Sequence, residues 1–82
     1  MDISSIIINP RPDKIEEVQA WLNTLPGVET HVTAVDGRIV ATIEADTDAE
    51  AVRTYENIGR QAGVLSVSLV YHHYEPDPNK EV

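Results

Sequence analysis

The residues best able to carry chemistry lie in one stretch, GVLSVSLVYHHYEPD, residues 63–77. It holds two adjacent histidines, His72 and His73, with Tyr71 and Tyr74 on either side and Glu75 after them. An imidazole can ligate a metal, hold a proton near neutral pH or serve as donor or acceptor. On a strand, however, neighbouring side chains point to opposite faces, so His72 and His73 cannot grip one ion together. His31 is too remote in sequence to complete a ligand set by spacing alone. The chain has no cysteine, which rules out thiolate metal sites and a Cys-x-x-Cys metallochaperone. Arg11, in NPRPD, lacks the glycine-rich loop with which an acyl-phosphate hydrolase would cradle its anion. No Ser/His/Asp constellation stands out. Neither a catalytic residue, a metal nor a cofactor is expected.

The elements that must position these residues are legible from periodicity. ISSIII is a β-branched run, and the prolines of NPRP stop a central strand there. Asp13 can open a helix in which Ile15, Val18, Leu22 and Leu25 form the apolar stripe, with Trp21 at its border and Pro26-Gly27 as its end. THVTAV and RIVATIE read as strands joined by a two-residue Asp36-Gly37 turn. Thr47 with Glu50 three residues on is a capping box for a second helix that buries Val52, Tyr55 and Ile58. Gly63 closes that helix and the last strand follows. The order β-α-β-β-α-β predicts a ferredoxin-like α+β sandwich, four antiparallel strands with both helices on one face. Faint matches at an offset of 36 residues (Ile3 and Ile39, Leu22 and Ile58, Gly27-Val28 and Gly63-Val64) agree with two similar halves. Residues 1–75 form the expected domain, and 76–82 a polar tail.

Along the last strand Leu65, Val67, Leu69 and Tyr71 share one parity, and Ser66, Ser68, Val70 and His72 the other. The first set is expected beneath the helices and the second on the uncovered face. In the hairpin Ala41 and Ile43 suit the core, leaving Val40, Thr42 and Glu44 outside. Ile6 and Ile8, or Ile7, can face inward in the first strand. The uncovered face is then either an ordinary wet sheet face or a shallow docking surface.

Composition narrows the partner. Fourteen Asp and Glu against six Lys and Arg give a net charge of −8, which disfavours nucleic acid and anionic lipid and favours a cationic partner. There is no RNA-binding aromatic pattern, with no Phe in the chain. The N-terminal MDISSIIINPRP has neither a basic region nor a cleavage site of a secretory signal, so a cytoplasmic protein is expected.

ISSIII followed by RPDKIEEV, LPGVE, VDGRIVATIEAD and above all GVLSVSLVYHHYE resemble the NapD-type chaperones, from Ile3 to about Glu75. The SLVYHH ending is the most specific piece. The resemblance implies a ferredoxin-like, non-catalytic cytoplasmic protein. Such a protein binds the twin-arginine signal peptide of the periplasmic nitrate reductase catalytic subunit and delays its export until the cofactors are inserted. Its partner is then that precursor's signal peptide, with a basic region and an apolar stretch. On the uncovered face Ser5, Ile7, Val40, Thr42, Glu44, Ser66, Ser68, Val70, His72 and Glu75 are the candidate peptide-binding residues. Glu44, Asp46 and Glu75 are placed to meet the arginines. The alternative on the same topology is a small-ligand-binding regulatory domain of the ACT type.

Overall fold

In a computed structural model that describes residues 1–74, the elements follow in the expected order. They are β1 (Asp2–Pro10), a 3-10 turn (Pro12–Lys14), α1 (Ile15–Leu22), β2 (Val28–Thr33), β3 (Ile39–Ala45), α2 (Asp48–Arg60) and β4 (Val64–Tyr74). The sheet order is β2-β3-β1-β4 and every neighbouring pair is antiparallel. Each helix therefore connects two parallel strands that have a third between them, which is the split β-α-β of the ferredoxin-like fold. The expected boundary after Glu75 lies outside the described residues.

Burial alternates without a break along β1, and it settles the parity left open by the run of isoleucines. Ile6 and Ile8 are fully buried; Ile7 is on the other face, half-buried. Ile39, Ala41 and Ile43 of β3 join them, and Val18 and Leu22 of α1 with Ile58 of α2 close the core from above. Each such isoleucine or leucine contributes about 1.5–3 kcal/mol by leaving water. Trp21, Leu25, Tyr55, Val64 and Val67 pack around that centre. In α2 the buried stripe is Ala51, Tyr55 and Ile58, not Val52, which is largely exposed. Positions 51, 55 and 58 are spaced i, i+4, i+7, and a face centred on them turns Val52 aside.

Local signals explain the ends of the elements. Glu50 N–H donates to Thr47 Oγ1 at 3.2 Å, the first half of the capping box. The Glu50 carboxylate accepts at 3.4 Å from the N–H of Asp46, one residue before the expected donor. Pro10 is the last residue of β1 rather than beyond it: pairing with β3 has already ended at Ile8, so no donor is missed there. The hairpin loop is longer than the two-residue turn expected. Gly37 N–H donates to Ala34 O at 2.8 Å and Ala34 N–H to Arg38 O at 2.7 Å, so Asp36 and Gly37 take the last two places of a four-residue turn. Gly37, at φ +93°, supplies the left-handed residue that closes such a loop.

Leu25-Pro26-Gly27-Val28 is a type II turn, with Val28 N–H on Leu25 O at 3.3 Å and Gly27 at φ +76°. The same bond recurs 36 residues later, from Val64 N–H to Gln61 O at 3.1 Å. Gly27 is doubly constrained, because its carbonyl accepts from Glu44 N–H at 2.8 Å and an added Cβ would sit 2.3 Å from Glu44 O. Gly27→Ala must both hold a left-handed residue and push β3 away. It is expected to cost about 2–4 kcal/mol, read as a lower urea midpoint. Gly37→Ala should lose only the conformational part, about 1–2 kcal/mol, since its nearest neighbour, Ile15 Cδ1 at 2.9 Å, can rotate aside. Equal losses would show that the close approach at Gly27 is not as described.

Candidate functional site

Because both helices lie on one side, the other face of the sheet is bare, and its residues line up in rows across the strands. One row runs Glu44, Ile3, His73; the next Glu29, Thr42, Ser5, Tyr71; the next Val32, Val40, Ile7, Ser68; and the last Asn9, Ser66. The middle of the face is thus Ile3, Ser5, Ile7, Val40 and Thr42, all half-buried by their neighbours. Small residues stand between the aliphatic ones. Two polar pairs are hydrogen-bonded here. His31 Nε2 is 2.9 Å from Thr42 Oγ1, and Asn9 Nδ2 donates to Ser66 Oγ at 2.9 Å.

The seven expected residues Ser5, Ile7, Val40, Thr42, Glu44, Ser66 and Ser68 are all on this face. His72 is not, and this corrects the sequence reading. Leu69 faces Ile6 and Tyr71 faces Ser5 across the β1–β4 pair, so Val70 is an extra residue without a partner. An extra residue in one strand offsets the two-residue repeat by one position. Tyr71, expected beneath the helices, moves to the open face. His72, opposite the buried Ser4, moves to the helix side, where its Nε2 is 3.2 Å from Asp2 Oδ1. Val70 itself is 60% exposed. A second shift, between Asn9 and Pro10, leaves Leu65 unpaired and exposed while Val64 packs on the core. Glu75 lies outside the described residues.

Sequence reasoning thus missed Ile3, Tyr71 and His73 as members of the surface. Tyr71 and His73 stack with ring centroids 6.1 Å apart and planes 12° from parallel, a flat aromatic border along the β4 side. The only signal for it was the Tyr-x-His spacing, which has meaning once both residues are known to share a face.

Charge is arranged around the face rather than on it. Arg11, Lys14, Arg38 and Arg60 are each within 3.6 Å of a carboxylate on their own segment, namely Asp13, Glu17, Asp36 and Glu56. Glu29 and Glu44 remain at the edge of the open face. Glu44 also lines a recess of about 470 Å³ at the end of the sheet, with Gly27, Asp46, Glu50, Arg53 and Asn57. Glu44, Asp46 and Glu50 thus bring three carboxylates to that recess, beside the Arg53 guanidinium and Met1.

The sequence model of the NapD protein family matches residues 1–76. Chaperone NapD of Escherichia coli K12 is 32% identical over 74 residues, spanning 89% of this chain and 85% of the relative. Chaperone NapD of Paracoccus pantotrophus is 34% identical over 82 residues, 99% of this chain and 71% of the relative. The chain belongs to the NapD family. The solution structure of the E. coli Tat proofreading chaperone protein NapD superposes with a TM-score of 0.79 at 28% identity, over 98% of this chain and 84% of that one. The NapD assignment therefore rests on sequence and on fold together, and the fold expected from the strand and helix order is the NapD fold.

In this NapD-family sheet the irregularity at Val70 is what separates Tyr71 from His72. Deleting Val70 should remove the extra residue and leave every later side chain on its present face. The expected cost is under about 1 kcal/mol in urea unfolding, with the Ser5–Tyr71 and Ser4–His72 cross-strand proton contacts kept in NMR spectra. Loss of those contacts would mean that Val70 belongs to the regular register.

Proposed function

We propose that this chain is a cytoplasmic chaperone that binds the twin-arginine signal peptide of the periplasmic nitrate reductase catalytic subunit on its open sheet face. In doing so it delays export of that precursor until cofactor insertion is complete. The observation that carries the reading is the face itself: aliphatic and small residues in alternation, bare of helices, edged by an aromatic stack and by carboxylates. The names of its relatives, which are chaperones, and of a proofreading chaperone of the same fold, support it.

The physical steps are those of helix-in-groove recognition. A signal peptide alone in water is at most marginally helical. Ile3, Ile7 and Val40 give its apolar side chains a place to leave water, and Ser5, Ser66 and Ser68 let its backbone come close. Tyr71 adds a large rigid surface at the border. Glu29, Glu44, Asp46 and Glu50 favour the paired guanidinium groups, which carboxylates can hold with two parallel bonds. Such rim charges set orientation and on-rate more than affinity, and the net charge of −8 draws a basic segment in from a distance. A peptide covered in this way is withheld from the export machinery with no bond made or broken, so no catalytic group is needed.

Calorimetric titration with a nitrate reductase signal peptide tests the reading directly. Saturable binding is expected, and changing both arginines to glutamine should weaken it roughly three- to thirtyfold. No binding of either peptide would overturn the proposal. The face is tested by substitution. Ser66→Arg with Ser68→Arg should abolish binding in a protein that still unfolds cooperatively. Tyr71→Ala should weaken it about tenfold, the loss expected when a large aromatic contact is truncated. His72→Ala, on the other side of the sheet, should change it less than about twofold. A reversed order for Tyr71 and His72 would put the peptide on the wrong face.

A further inference from the structure

We propose that Asp2, Asp48 and His72 form a binding site for a divalent cation of the zinc class, on the helix-covered side of the sheet and separate from the peptide face. The three residues come from β1, the first turn of α2 and β4, and a ligand atom of each lies within 4.8 Å of the other two. His72 Nε2 is 3.2 Å from Asp2 Oδ1 and 3.6 Å from Asp48 Oδ1. Ligands at zinc distances of about 2.0–2.2 Å in a tetrahedral shell are separated from each other by about 3.3–3.6 Å. Both distances from His72 are close to the edge of such a shell.

Two further features point the same way. The Asp2 side chain is only 2% exposed, and no Lys or Arg side chain is within ion-pair distance of it or of Asp48 among the described residues. A buried carboxylate requires a compensating positive charge or a full set of hydrogen bonds, and His72 supplies a single contact. Beside it is Ser4, 6% exposed, for whose hydroxyl the structure gives no hydrogen-bond partner among the described residues. Ser4 pairs with His72 across β1 and β4. Both line a cavity of about 440 Å³ with Ile43, Asp48, Ala51 and Tyr55. Among the described residues no sealed side-chain polar atom is without a partner, so the Ser4 hydroxyl is reached from this cavity. The cavity gives an ion a way in, and Ser4 a hydroxyl for a water that completes its shell.

The donor set selects the metal. One imidazole and two carboxylates suit zinc, manganese or nickel, whereas magnesium and calcium favour oxygen ligands throughout. Bound there, the ion would join the start of β1, the start of α2 and the end of β4, whose residues are up to 70 positions apart. It would stabilise the folded chain by mass action and leave the open face untouched.

The test is titration of the full, untagged chain with zinc chloride, followed by calorimetry and thermal unfolding. Saturable 1:1 binding is expected, with Tm rising by more than about 5 °C at a hundredfold excess over Kd. Asp48→Asn and His72→Gln should each weaken binding at least about tenfold. Asp48 is exposed, so its replacement keeps the test independent of folding. His31→Gln and His73→Gln should change nothing, and magnesium and calcium should not compete. The proposal is overturned by no saturable binding in the millimolar range, by binding that Asp48→Asn and His72→Gln leave intact, by loss on changing His31 or His73, or by equal affinity for magnesium.

Discussion

Strand β1 is hydrogen-bonded along both edges but covered on one face only, and the rest of the molecule is arranged around that asymmetry. Its inward residues Ser4, Ile6 and Ile8 must meet the helices, and its outward residues Ile3, Ser5, Ile7 and Asn9 must then meet whatever lies on the other side. The two strands beside it inherit this division. A slip of one residue in either pairing would bring Val40 and Thr42, or Ser66 and Ser68, into the core and expel Ile39, Ala41 and Ile43, or Val67. Burial of the isoleucines at 6, 8, 39 and 43 therefore fixes the open face as firmly as it fixes the core. The open face is the complement of the packing.

Strand β4 obeys this rule over most of its length and departs from it where chemistry begins. It has 11 residues against the 9 of β1, and the surplus is absorbed at two register shifts rather than spread along the pair. Beyond the shift at Val70, Tyr71 and His72 lie on the opposite faces from those that unbroken alternation would give them. Tyr71 and His73 form a stacked border on the open face, and His72 turns toward two aspartates on the covered one. Adjacent histidines thus serve two surfaces of different character. The edge position of β4 makes this possible, because no further strand has to match its irregularities.

Electrostatics adds direction to this geometry. Most of the described cations are held by carboxylates of their own helix or loop, which leaves the remaining carboxylates to shape the field seen from outside. Those at positions 29, 44, 46 and 50 gather at one edge and end of the sheet. The field is therefore strongest at one end of the face, and its middle is the least polar part. The Leu25-Pro26-Gly27-Val28 turn holds this end in place, since its glycine carbonyl is bonded to the backbone of Glu44 itself.

The order of the elements, the inward Val18 and Leu22 of α1 and Tyr55 and Ile58 of α2, the cap at Thr47, the turn glycines and the kinship with NapD chaperones were all legible in the chain, because each depends on residues within a few positions of one another or on whole-length similarity. So were the outward positions Val40, Thr42, Glu44, Ser66 and Ser68, whose stretches follow simple alternation. What only the tertiary structure decided has a common cause. Which way the isoleucines of β1 face depends on which face the helices cover, and alternation alone is symmetric between the two. The extra residues at 65 and 70 exist only relative to β1, more than 50 positions away in sequence, so no local pattern in β4 announces them. Asp2 and Asp48 are unremarkable in sequence, and they meet His72 because three elements are packed together. Short-range chemistry selected the elements and their faces; the pairing of distant strands selected which side chains share a surface.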